Sequence, residues 1–466
     1  MSSLRRSVCA GLITALASAA PFHNQAVAEV SPTPAIVHAG QFLETPGRPP
    51  LDKVTVVIVD GKVKEVRPGF IDPEAAGLPA QTKVIDLADM FVMPGFIDLH
   101  VHLSMGAPAE TLLRKPDTYF ALLGAKNANT TLMAGFTTVR DLGSIGYTVL
   151  GLRDAIADGF VPGPKIIASG DPISPTDGHA DNHGYREEVM NAMPRRGVCD
   201  GPEDCRRAVR AAVKRGADVI KVMASGGTLD ESDAPTDQQF TDEELKAIAD
   251  TAHALGRKVT AHAHGKGAID ACIRAGFDSI EHGMWADRAT LEAMKAKGVW
   301  LIPTVWPIDY VGDTDEKKRA GPLRNLPPVS FAKMLALGDQ PKKLAKMAQA
   351  MGVKIALGTD AGVYPHGQNA HEFVEYVQAG MTPMQALVAG TSDAALAGGI
   401  KHVGSLEPGM AADMVALPVS PLKDINVVLN VPFVMRDGIV FKMKGIEIEP
   451  VQAQVLNEHA DIQDAF

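Results

Sequence analysis

The stretch Val92-Met-Pro-Gly-Phe-Ile-Asp-Leu-His-Val-His102 decides how the rest of the chain is read. Its apolar run predicts a buried strand, with His100 and His102 at the C-terminal end. Residues two apart on an extended strand share a face, so both imidazoles can reach one ion from the same side. The C-terminal ends of strands are also where a parallel α/β architecture collects its chemistry. A surface His pair is the competing reading, and this motif alone does not decide between the two.

Outward from this stretch, strands alternate with helices. Apolar strand candidates end near His102, Asp141, Gly170, Met223, His262, His282, Thr304 and Asp360. Thr241-Asp-Glu-Glu244 is a capping box opening a helix that runs to about Leu255, and Thr382-Pro383 opens another. Eight strand–helix units predict an α/β fold, a TIM-like (β/α)8 barrel over residues 91–404. The rival, a doubly wound open sheet, lacks a Gly-rich phosphate fingerprint after its first strand.

Segments 29–90 and 405–450 read as short strands with turns. Val54 to Val59 is β-branched, Asp60-Gly61 is a hairpin signal, and Arg436-Asp437-Gly438 repeats that texture. Each segment is too short to bury its own face, so the two are expected to combine into one small β-sandwich domain. Residues 451–466 read as a C-terminal tail. The Pro- and charge-rich stretch from Trp306 to Pro328 reads as a long loop over the site or a solvated insertion.

The chain has 466 residues, 46% of them hydrophobic and 21% charged, an ordinary globular composition with ample core material. A formal charge of −10 without a basic cluster argues against nucleic acid and anionic membranes as partners. At the N-terminus, Arg5 and Arg6 precede an apolar stretch from Val8 to Ala20, and Ala26-Val27-Ala28 follows. This reads as a signal peptide over residues 1–28, too short to span a bilayer, with export to the periplasm or medium. Cys199 and Cys205 flank Asp-Gly-Pro-Glu-Asp; a disulfide and two reduced thiols both fit that spacing. Cys272, in an apolar helical stretch, is expected in the core.

Further candidates fall at the other strand ends. Lys221 sits between Ile220 and Val222, and Lys is almost never buried unpaired. A buried ion pair is one explanation. A desolvated amine that reacts with CO2, offering two anionic oxygens to a pair of metals, is the other. His262 and His264 repeat the spacing of two, His282 ends Ser279-Ile-Glu-His282, and Asp360 ends Ile355-Ala-Leu-Gly-Thr-Asp360. Packing does not account for five strands that each finish in His, Lys or Asp.

This order of residues resembles the amidohydrolase superfamily, carried by Pro94 to His102 and by Gly358-Thr-Asp360. Lys221-Val-Met-Ala-Ser-Gly-Gly227 and Ala261-His-Ala-His-Gly265 are similar to its bacterial dipeptidase branch. That branch includes Xaa-Pro dipeptidases, carboxypeptidases that release a C-terminal residue, and ochratoxin-hydrolysing amidases. The resemblance implies two divalent ions, zinc foremost. His100, His102 and Asp360 would hold one, His262 and His282 the second, and carboxylated Lys221 would bridge them. His264 would then be a neighbouring or substrate contact. His179, in Ser174-Pro-Thr-Asp-Gly-His179, resembles a substrate-binding His of that branch, although Asp177 stands where Gly is common. A surface His in a polar loop is its plainer reading. Arg140 and Asp141 line the mouth or pair with each other.

The resemblance further implies attack by a metal-bridging hydroxide, with Asp360 as general base and then general acid toward the leaving amine. No Gly-x-Ser-x-Gly elbow offers a serine nucleophile instead. The expected enzyme hydrolyses the amide of a dipeptide or N-acyl amino acid, ochratoxin-type amides included, and releases a C-terminal amino acid. Hydrolysis of a cyclic amide or imidazolone, ring deamination, and a non-catalytic ligand-binding barrel are the alternatives. A small-molecule amide is the expected partner, and relatives with this fold imply a homo-oligomer.

Overall fold

The computed structural model describes residues 33–107, 109–193, 197–229, 234–312 and 328–448. The expected signal peptide, the tail and much of the Trp306–Pro328 stretch lie outside the described residues. Strands β1 (Ala35–Phe42), β2 (Leu51–Val59), β3 (Lys62–Pro68) and β4 (Lys83–Pro94) come first. Next come β5 (Phe96–Val101), β6 (Phe136–Asp141), β7 (Lys165–Ala168), β8 (Val219–Met223), β9 (Lys258–Ala263), β10 (Ser279–His282) and β11 (Trp300–Ile302). The last four are β12 (Met414–Leu417), β13 (Phe433–Arg436), β14 (Ile439–Met443) and β15 (Ile446–Glu447).

Strands β5, β6 and β7 pair in parallel, as do β8 to β11, and helices fill the connections. Three single parallel bridges stitch these sheets into a barrel: Ile173 with Val222, Leu301 with Ile355, and Val101 with Ala361. The eighth stave, expected as a strand ending at Asp360, makes only such bridges. Its backbone is nonetheless bound on both sides, because the Leu99 amide donates to the Leu357 carbonyl at 2.9 Å and the Leu301 amide to the Lys354 carbonyl at 2.9 Å. Regular pairing ends where Asp360 turns to a φ of 58°.

The helix after β8 starts at the predicted capping box, with Thr241 accepting from the Glu244 amide and Glu244 reaching back. Cys199 and Cys205 are joined by a disulfide at the start of the helix Pro202–Arg215, and Cys272 is a buried free thiol. Of the Trp306–Pro328 stretch, Trp306–Gly312 is helical, and a second helix, Pro328–Leu337, begins at its last residue. Ile308, Val311, Met334 and Leu337 pack these two helices together against Leu229 and Trp285. The spacing of three between Ile308 and Val311 gives Trp306–Gly312 one apolar face to bury. Among the described residues, no helix is long and apolar enough to cross a membrane.

The end segments form one eight-stranded sheet in the order β15-β14-β13-β12-β4-β1-β2-β3. The expected sandwich is therefore a single sheet that curls. The Val63 amide donates to the Met410 carbonyl at 2.9 Å and the Ala412 amide to the Gly61 carbonyl at 2.8 Å, which brings the β3 edge back to the lead-in of β12. Val37, Val56, Ile85, Leu87, Met414 and Phe433 fill the interior of the curl. Strand β4 runs through Pro94-Gly95 straight into β5. A Cβ at Gly95 would lie 2.2 Å from Thr137 Oγ1, so only glycine lets the chain pass from the sheet into the barrel wall.

Candidate metal centre

The strand ends deliver their side chains to one mouth of the barrel. His100, His102 and Asp360 offer ligand atoms within 4.8 Å of one another, and so do His262, His264 and His282. In the first cluster, Asp360 Oδ1 lies 3.2 Å from His102 Nε2 and 3.5 Å from His100 Nε2. Lys221 Nζ completes it, 3.3 Å from His100 Nε2. In the second, the His262 and His282 ring centroids are 4.6 Å apart, and His264 stacks on His282 at 4.7 Å. The His100 and His282 rings are 5.1 Å apart, so the two clusters adjoin.

Left-handed backbone does part of the aiming. His282 at φ 68°, Thr304 at 46° and Asp360 at 58° each leave the strand path at its end, a conformation rare outside glycine and concentrated at functional sites. Each imidazole is then held by a partner on its far side. His102 Nδ1 faces the Gly143 carbonyl at 3.2 Å, His262 Nε2 the Gly226 carbonyl at 3.1 Å, and His282 Nδ1 the Thr304 hydroxyl at 2.7 Å. A carbonyl only accepts, so His102 carries its proton on Nδ1 and His262 on Nε2. Their opposite nitrogens are free to act as Lewis bases.

Electrostatics favour neutral donors at His100, His262 and His282, whereas at His102 burial is outweighed by the Asp360 carboxylate, which raises the imidazole above its ordinary value. Burial pushes His100 down to about 4, helped by the nearby Lys221 charge. Burial also takes His262 and His282 well below the usual imidazole range, with neighbouring histidines adding to it. Burial lowers Lys221 to about 8 although Glu281 and Asp360 pull the other way. Burial would raise Asp360, but His100 and His102 outweigh it and keep the carboxyl ionised. Neutral imidazoles beside a carboxylate are the N/O set that zinc-type divalent ions take, so these residues fit the ions that the sequence implies.

His179 comes to the second cluster, its ring 4.4 Å from that of His262. A Cβ at Gly227 would sit 2.0 Å from the His179 ring, so glycine makes the room. Asp177 adopts a φ of 63°, the region glycine favours and Asp tolerates, so the substitution noted in the sequence leaves the loop intact. His264 is less separate than expected. It stands as near to His262 and His282 as they do to each other, and its amide donates to Ser225 Oγ at 3.0 Å.

Arg140 and Asp141 neither line the mouth nor pair with each other. Arg140 lies under the site, donating to Glu281 at 2.8 Å. Asp141 accepts from the Leu103 amide at 2.7 Å and the Gly143 amide at 3.2 Å, fixing the backbone just after His102 and the turn whose carbonyl faces His102 Nδ1. Two acids escaped sequence reasoning. Asp98 accepts from the His100 and Thr359 amides, from the Thr359 hydroxyl and from Asn369, tying β5 to the eighth stave. Glu281 faces His100 Nδ1 at 3.0 Å. Both interrupt apolar strands one or two residues before a His, and that was the available signal.

Comparison with known proteins follows the same lines. The profile of the Amidohydrolase family matches residues 91–440. Ochratoxinase of Aspergillus niger is 38% identical over 380 residues, spanning 76% of this chain and 76% of that protein. Its crystal structure superposes with a TM-score of 0.77, at 34% identity, covering 89% of this chain and 97% of that one. A Xaa-Pro dipeptidase with methionine bound in its active site gives a TM-score of 0.79 at 34% identity, covering 88% of this chain and 100% of that one. A prolidase complexed with N-methylphosphonate-L-proline gives 0.79 at 30% identity, with the same coverage of 88% and 100%.

Proposed function

The chain belongs to the amidohydrolase family, and on that premise we propose that it cleaves the amide of a dipeptide or N-acyl amino acid, releasing the C-terminal amino acid. It is a hydrolase acting on C–N bonds; the amino-acid product is the finer step. One observation supports the hydrolytic centre: two adjoining histidine clusters, the first completed by Asp360 and by the buried Lys221 beside His100. The neighbours support the amino-acid product, since one holds methionine in its active site and another a proline phosphonate.

We assign His100, His102 and Asp360 to a first divalent ion and His262 and His282 to a second. Two zinc-type ions, when bound, supply hydroxide near neutral pH and polarise the scissile carbonyl. Lys221 is the group shared between the clusters. Burial leaves a fraction of its amine neutral near pH 7, able to attack CO2; the new N–C bond forms as the nitrogen sheds a proton. A carbamate on Lys221 would offer two anionic oxygens to ions held by these residues.

Asp360 is the most exposed member of the set, with 16% of its side chain open at the mouth. It takes a proton on its carboxylate and gives it to the departing amine nitrogen, which leaves readily only once protonated. His179, beside His262 and half-buried, hydrogen-bonds the substrate carbonyl or carboxylate. The Cys199–Cys205 disulfide supports reading the leader as an export signal, because such bridges persist in oxidising compartments. N-terminal sequencing of the protein from cell fractions checks that reading.

The deciding experiment is a panel of dipeptides and N-acyl amino acids offered to zinc-replete protein. Free C-terminal amino acid is the expected product. Ring opening or ammonia release, with no amino acid from any member, would reverse the assignment.

A further inference from the structure

Beneath His100 the barrel holds a pair of charges that the proposed chemistry does not use. Arg140 on β6 and Glu281 on β10 are 1% and 0% exposed. Arg140 Nη2 donates to Glu281 Oε1 at 2.8 Å and its Nε to the Leu99 carbonyl at 2.7 Å, while Nη1 reaches Ser279 Oγ at 3.5 Å. Glu281 Oε1 also accepts from the Thr260 hydroxyl and lies 3.2 Å from Ser279 Oγ. Side chains from three strands, β6, β9 and β10, thus converge on one carboxylate oxygen. With Oε1 so engaged, Oε2 is turned to His100 Nδ1 at 3.0 Å. Stability is a weak reason for such a pair, because apolar residues of equal volume often serve as well.

We propose that Glu281, anchored by Arg140, is the positioning residue of the first cluster: it accepts the His100 Nδ1 proton and thereby aims Nε2 at Lys221 and Asp360. Imidazole has two ring nitrogens, and committing one to a carboxylate fixes the tautomer and leaves a more basic lone pair on the other. Arg140 acts one step further back. Its fork binds Glu281 and the β5 backbone next to His100 together, so carboxylate and imidazole cannot drift apart. This inference rests on His100 being a metal ligand, as assigned under the proposed function.

The test is a zinc titration of the full chain against a chromophoric chelator, with the visible spectrum of the cobalt-substituted protein alongside. Glu281→Asp keeps a charge facing Arg140 but draws the carboxylate back from His100. A double variant, Arg140→Met with Glu281→Met, removes both charges and leaves neither stranded. Wild type should hold two equivalents. Each variant should lose about 10- to 100-fold in affinity for one equivalent, keep the other, and shift the cobalt bands of the weakened site. The metal-free melting midpoint of Glu281→Asp should stay within a few degrees of wild type. Wild-type affinity for both ions, equal loss of both, or failure of both variants to fold would each overturn the positioning role. A wild-type chain that holds no tight zinc would instead sink the functional reading on which this one stands.

Discussion

Lys221 is the residue whose environment departs furthest from its chemistry: an amine with 2% exposure, flanked by apolar neighbours and 3.3 Å from an imidazole nitrogen. Lys221→Ala should reduce turnover by at least about 100-fold and lower the bound metal, as removal of a group at the metal does more than loss of a supporting partner. Elemental analysis beside the rate separates that outcome from misfolding. Gly227→Ala probes the other side of the mouth. Its new methyl group would fall 2.0 Å from the His179 ring, so His179 must move. KM should rise by about tenfold, the value of one lost charge-assisted contact, with metal content unchanged. At this scale the sequence was informative, because five of the six proposed ligands stand at or next to the ends of apolar runs and the sixth, Lys221, interrupts one. It was silent about Arg140. An Arg beside an Asp reads as a pair, yet Arg140 crosses the barrel to Glu281, a contact between residues far apart in the chain.

Among the elements, the eighth stave and the β9–β10 floor differ in how they are held. The stave from Ile355 to Asp360 makes few ladder bonds and relies on Asp98, which accepts from both its Thr359 amide and hydroxyl. A run that ends in Gly-Thr-Asp gave its position but not its irregularity, because bridge-only pairing comes from partners that the run itself does not contain. At the opposite end of the barrel, Asp278 accepts from His253 and from the Val259 amide and pairs with Lys258. Burial raises its pKa, but His253, the Val259 amide and Lys258 outweigh that and hold the carboxyl below its ordinary value. A carboxylate depressed in the folded state stabilises above its unfolded pKa and stops doing so as pH falls through the folded value. Asp278→Asn should therefore cost about 1 kcal/mol at pH 7, a figure already reduced for its partial exposure, and less near pH 2. Urea midpoints at the two pH values check it; an equal loss at both would mean that the charge was irrelevant. The Thr241 capping box was legible and present, and Thr241→Ala should cost about 1 kcal/mol in the same assay.

Over the whole molecule, cofactor and fold should be linked. If the clusters hold ions only in the folded chain, chelation must lower the melting temperature as well as stop turnover. Free zinc at about 100 times its dissociation constant is worth about 2.7 kcal/mol per site. Restoring zinc together with bicarbonate should recover both readouts, whereas zinc alone in CO2-depleted buffer should recover activity slowly if Lys221 is carboxylated. The barrel was legible at this scale because strand runs and caps alternate along the chain. The curl of the terminal sheet was not, since it depends on β3 meeting the lead-in to β12, and neither segment carries a mark of the other. The helix Trp306–Gly312 was hidden by the proline and charge content around it, which masked the short apolar spacing of Ile308 and Val311.

Gly95 is the sole residue between β4 and β5, and a methyl group there would strike Thr137. The outer sheet and the stave bearing His100 are thus joined without a linker, so a bulkier residue at this seam should disturb the barrel wall that carries the imidazole.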